Sequence, residues 1–143
     1  MPREIVLRRL LWVGPATIAV AVAAVVAVQQ ICVAFVREPS KFSGEILRSN
    51  EPAYATAFFV GWGVLLFPAI ADAASNPLRT FRRLALGVLL VSCIPNLYGG
   101  FAGKATDWGM LSLMLLHVVA WAVTTSMLTR LMVSADRRDS AGS

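Results

Sequence analysis

Residues 10–36 read LLWVGPATIAVAVAAVVAVQQICVAFV, without a single Lys, Arg, Asp or Glu. A helix needs about 20 predominantly apolar residues to cross the hydrocarbon core of a bilayer, so this run alone is long enough. Three more charge-free runs follow at 52–71, 84–103 and 108–129, each bounded by charged residues. Together they predict an all-α fold, a four-helix transmembrane bundle. Composition agrees: the chain is 57% hydrophobic and 15% charged, with a mean hydropathy of +0.69, where a soluble domain is about 45–50% apolar and about 25% charged.

The spans take up most of the 143 residues. Residues 1–132 therefore form a single four-span membrane domain, and 133–143 a polar cytoplasmic tail expected to be disordered. The connectors are too short for a separate catalytic domain. Arg3, Arg8 and Arg9 precede the first run as in a signal peptide, but the run exceeds the 7 to 15 residues of a signal core. It is expected to be a retained helix.

Positive charge sets orientation, because short cytoplasmic flanks carry the excess of Lys and Arg. With the N-terminus inside, Arg3, Arg8, Arg9, Arg79, Arg82, Arg83, Arg130, Arg137 and Arg138 are cytoplasmic, and Arg37, Lys41, Arg48 and Lys104 are outside. The nine-to-four split predicts both termini in the cytoplasm. The net charge of +5 is scattered over termini and connectors. It fits contacts with membrane lipids, including anionic headgroups, and no nucleic acid. Trp12 at the inner boundary, and Phe35, Tyr54, Tyr98, Phe101 and Trp108 near the outer one, fit interfacial belts.

Asn76-Pro77 reads as a helix N-cap followed by proline at the first helical position, so the third helix is expected to begin before its apolar run. In the longest connector, 37–51, Ser43 ahead of Glu45-Ile46-Leu47 predicts one capped interfacial turn. Small residues let helix backbones approach in lipid. Ala19, Ala23 and Ala27 on the first span, and Ala53, Ala57 and Gly61 on the second, are expected packing seams. Gly99 and Gly103 form a GxxxG, read as packing within the chain.

Polar groups inside the membrane mark where chemistry could occur, since they are costly there and face the bundle interior. The third span holds Ser92, Cys93, Pro95 and Asn96; the fourth holds His117, Trp121, Thr124 and Thr125. Helical spacing puts 92, 96, 99 and 103 on one face, and 117, 121 and 124 on another. With a 1.5 Å rise from the span midpoints, Asn96 and His117 lie about 4 and about 2 Å toward the outside, while Thr56 and Gln29 lie about 8 to 10 Å that way. The candidate cluster is therefore Ser92, Asn96, His117 and Trp121, with an outward-open vestibule above it. Pro95, lacking an amide donor for the carbonyl of Val91, is expected to bend or unwind the helix beside Asn96. The opposing expectation is that Asn96 and His117 serve as interhelical glue, a bond worth on average about 0.6 kcal/mol in one membrane protein.

Several classes lack their required residues. Cys32 and Cys93 form no CxxC pair, which a quinone-linked disulfide-forming enzyme needs, and they read as buried apolar residues. The first span has no carboxylate for a proton-coupled multidrug exporter. One histidine without a carboxylate at its depth does not make a metal site. No cofactor motif is present, and no enzyme activity is expected.

The stretch Thr80-Phe81-Arg82-Arg83-Leu84-Ala85, continuing into Leu89-Leu90-Val91-Ser92-Cys93-Ile94-Pro95-Asn96-Leu97, together with His117, resembles an uncharacterised family of small four-helix bacterial membrane proteins. The resemblance covers roughly residues 8 to 132. It implies a bacterial inner-membrane location and no established activity. That family often carries Asp where this chain has Asn96, a departure that weakens a proton relay, because Asn cannot titrate.

Two functions follow as expectations. The first is a non-enzymatic interaction or accessory membrane protein, with a protein partner or a second copy of itself. The alternative is a small transporter or lipophilic-ligand-binding protein with an outward-facing polar cavity around His117 and Asn96. A wet or ligand-sized cavity beside His117 would separate them.

Overall fold

The computed structural model describes residues 3–35 and 41–141. The chain runs through α1 (Arg3–Phe35), α2 (Lys41–Arg48), α3 (Glu51–Ala73), α4 (Pro77–Phe101) and α5 (Asp107–Ala141), and the described residues contain no strand. Leu10–Phe35, Glu51–Ala73, Pro77–Phe101 and Asp107–Arg130 are each long and apolar enough to cross a membrane. These are the four runs of the sequence. The expected end of the first span at Val36 and its flanking Arg37 lie outside the described residues.

α1 packs chiefly against α3 and α5, and α4 against α5; contact between α3 and α4 is sparser. The helices thus form a ring in the order α3, α1, α5, α4, with a loose seam between α3 and α4. We call the end bearing Arg79, Arg82, Arg83 and Arg130 the arginine end. α2 and the α4–α5 turn lie at the other.

Each end has its own apolar core. Leu10, Ala21, Val60, Val64, Phe67, Phe81 and Leu128 pack at the arginine end, where Phe67 and Phe81 meet edge to face at 5.3 Å and join α3 to α4. Val25, Cys32, Leu47, Leu113 and Leu116 pack at the other. Threonines inside the bundle satisfy their hydroxyls within their own helices: Thr17 donates to the Val13 carbonyl at 2.7 Å and Thr124 to Ala120 at 2.7 Å. Such back-bonding removes the cost of an orphan hydroxyl in an apolar setting. The outward faces are apolar, with Leu11, Phe58, Leu65, Leu90, Val91 and Ile94 exposed. A surface of that kind is compatible with lipid and would aggregate in water.

The helix ends follow local sequence. Asn76 Oδ1 accepts from the Arg79 amide at 3.2 Å with Pro77 at the first helical position, as the Asn-Pro pair predicts. At the far end of α4, Gly103 takes φ +66°. Its amide reaches the Gly100 carbonyl at 3.0 Å, and that of Lys104 reaches Gly99 at 2.9 Å. This pair of bonds closes the helix C-terminus around a left-handed glycine. Thr106 Oγ1 then accepts from the Gly109 amide at 3.1 Å and opens α5.

Several expectations are corrected. Ala19, Ala23 and Ala27 face outward; α1 instead buries Leu10, Gly14, Thr17, Ala21, Val25, Gln29 and Cys32. Gly14 marks the close α1–α3 crossing, where an added Cβ would lie 2.7 Å from Val64 Cγ1. Ala53, Ala57 and Gly61 are half-buried beside the true stripe of α3, Thr56, Val60, Val64 and Phe67. Gly103 lies beyond α4, so Gly99 and Gly103 form no helix-packing motif; Gly100 makes the close approach, to Met110. α2 begins at Lys41, which puts Ser43 inside it rather than at its cap. α5 continues as helix to Ala141 instead of giving way to a disordered tail, since no Gly or Pro interrupts the ladder before Gly142. α4 stays helical through Pro95, so the unwinding expected there does not occur. The exposed proline ring costs one bond of the ladder, and intact turns on both sides keep the helix continuous, as they do around Pro15 of α1 and Pro68 of α3.

Candidate functional site

The seam between α3 and α4 opens into a groove of about 480 Å³, a volume in the range of small-molecule sites. Its walls are Phe59, Trp62 and Leu66 of α3 and Leu84 and Val88 of α4, and its floor includes Leu113, Leu116 and Ala120 of α5. It reaches from Ile70 and Phe81 near the arginine end to Glu51 and Pro52 at the other. The eighteen residue-to-residue steps of α3 from Pro52 to Ile70 correspond to about 27 Å of helix. The wall residues are also exposed, so the groove opens sideways, toward where lipid tails would lie.

Ser92, Asn96, His117 and Trp121 all line this groove. The helical register explains the meeting: α4 and α5 run antiparallel, with Gly100 against Met110 and Arg82 Nη2 donating to Thr129 Oγ1 at 3.2 Å. Positions 96 and 117 fall level between those two contacts. Asn96 is buried and His117 half-buried.

The pair is held loosely. Asn96 Nδ2 lies 3.5 Å from His117 Nδ1, longer than the 3.2 Å expected of a direct bond. The same Nδ1 lies 2.7 Å from the Leu113 carbonyl. A carbonyl only accepts, so Nδ1 carries a proton and donates to Leu113. Asn96 cannot then donate to that nitrogen; with its amide turned, Oδ1 shares the same proton. His117 is thus fixed by its own helix, and Nε2 is not used by either contact.

The hydroxyls of the groove are committed in the same way. Ser92 donates to Leu89 at 2.8 Å, Thr56 to Pro52 at 2.6 Å and Thr125 to Trp121 at 2.8 Å, each a main-chain carbonyl of its own helix. Among the described residues, the Trp121 indole Nε1 is the buried side-chain polar atom without a hydrogen-bond partner.

Gln29 does not join the site. It is 4% exposed, and its Nε2 donates to the Leu47 and Ser49 carbonyls at 2.9 and 2.8 Å. Those carbonyls end α2 and lack partners within it, so Gln29 pins the short helix onto α1. Thr56 does line the groove. The expected polar vestibule is instead a mostly apolar cleft with a few polar groups at its floor. Its walls went unnoticed in the sequence because Phe59, Trp62 and Val88 carry no signal beyond hydrophobicity. Among the described residues, no three His, Cys, Asp or Glu side chains gather as a metal-holding group.

Fold and groove together define the class: an all-α bundle of four membrane-length helices with a side-opening cleft. The chain belongs to a family of unknown function, DUF6069, which matches residues 2–134. No curated protein and no solved structure matches it.

Proposed function

We propose that the protein is a non-enzymatic integral membrane protein that binds a lipophilic ligand between α3 and α4. The observation that carries this reading is the ligand-sized groove beside His117. An apolar lining with a few convergent polar groups is the usual make-up of a ligand pocket. Flanking α3 and α4 along their length, the groove supports entry from the bilayer rather than passage across it.

The setting is the bacterial inner membrane with both termini cytoplasmic. The nine-to-four charge split supports that orientation, and Arg79, Arg82, Arg83 and Arg130 on the cytoplasmic side are suited to anionic headgroups. An interaction or accessory role competes for the same face, since a partner helix could occupy the seam.

Purification in a mild detergent followed by native mass spectrometry separates the readings. The expected result is a small lipophile retained by the wild-type protein and lost from Val88→Trp, whose larger side chain fills the groove from an exposed wall position. A second polypeptide in fixed ratio, or identical spectra from the two proteins, would overturn ligand binding.

A further inference from the structure

We infer that the groove selects a neutral lipid bearing a carbonyl oxygen, held at mid-bilayer depth by the indole N–H of Trp121. The inference rests on the ligand-binding reading above and concerns which lipophile is chosen.

The polar groups narrow the choice by elimination. Ser92, Thr56, Thr124 and Thr125 spend their hydroxyl protons on helix carbonyls, His117 Nδ1 donates to Leu113, and the Asn96 amide, with its oxygen toward His117, adds N–H donors to the groove. The indole N–H is a donor only, and it is buried without a partner among the described residues. A buried donor of this kind is costly to leave unpaired, and an acceptor oxygen on a ligand would satisfy it. Nε1 itself is shielded, so the contact requires the indole of Trp121, which lines the groove, to turn toward it.

Depth and charge exclude ionised ligands. Trp121 is 14 residues into the Asp107–Arg130 segment, about 21 Å along an axis of about 35 Å, which is within a few ångströms of its middle. A phosphate or carboxylate is disfavoured at that depth unless a cation meets it. Among the described residues, no Lys or Arg lines the groove, and Glu51, opposite the arginine end, is the charged residue in its lining. A neutral carbonyl on a long apolar tail, as in a prenylated or alkylated quinone, fits both the depth and the length of the cleft.

The test uses the full chain in lipid nanodiscs with ¹⁵N-labelled tryptophan. Two probes share a ten-carbon tail: a decyl-substituted benzoquinone, which carries carbonyl oxygens, and decylbenzene, which does not. The quinone should shift the Trp121 indole resonance, assigned by its absence in Trp121→Phe, and decylbenzene should not. Trp121→Phe removes the N–H and keeps an aromatic ring, and it should weaken quinone binding about three- to tenfold more than decylbenzene binding. If the wild type binds both probes equally with no Trp121 shift, carbonyl selection is wrong and lipophile binding stands. If neither probe binds, or Val88→Trp changes the binding of neither, the ligand-binding reading falls as well.

Discussion

Gln29 and His117 show how a polar residue in an apolar run acquires its meaning from what it meets. Both invite attention in the sequence, yet Gln29 is a structural tie whose amide closes the end of α2. Replacing it with Leu leaves two carbonyls unpaired, at a cost of about 1–3 kcal/mol. Hydrogen exchange in the Gly44–Ser49 segment of Gln29→Leu should accelerate by at least tenfold, while exchange in α5 stays unchanged. Equal protection in both proteins would mean that α2 is held by Leu47 burial alone. The meeting of Asn96 and His117 was legible, because rise per residue and antiparallel order fix relative depth. The looseness of their contact was not: it depends on His117 finding the Leu113 carbonyl one turn back, a choice of rotamer that spacing does not encode.

At the scale of the helix, boundaries are set by charge and by caps, and those of the apolar spans were readable, whereas the start of α2 and the end of α5 were not. Asn76-Pro77 starts α4 as its chemistry dictates, and the runs between charges reappear as the four long helices. The buried face of a helix was harder to read. In water, polar residues mark the outside, but in lipid both faces are apolar, so Ala19, Ala23 and Ala27 look as suitable for packing as Gly14, Ala21 and Val25. Proline is another case where expectation and outcome differ. Since α4 continues as helix through Pro95, the ring does not unwind it. Pro95→Ala should restore a donor to the Val91 carbonyl and be neutral or stabilising, by up to about 3 kcal/mol, in unfolding monitored in detergent. A loss of stability would show that Pro95 sets the course of α4 after all.

For the whole molecule, the ring α3, α1, α5, α4 explains why the groove escaped the sequence: it arises from the spacing of two helices, not from any residue type. Consecutive helices joined by only Ala74–Asn76 would ordinarily pack closely, yet contact between α3 and α4 is sparse beside that of α1 with α3, with Phe67 and Phe81 among the residues that join them. Orientation belongs to this scale too. In intact cells, Ser43→Cys should react with an impermeant thiol reagent and Ser75→Cys should not; the reverse pattern would invert the proposed topology. The most direct test of the account is photolabelling in native membranes with a neutral, diazirine-bearing alkyl probe, followed by peptide mapping. Binding in the groove predicts adducts concentrated on Trp62, Leu66, Leu84 and Val88 and reduced by excess unlabelled lipophile. Adducts spread evenly over other outward residues, such as Leu11, Leu90 and Ile94, and indifferent to competition would contradict it.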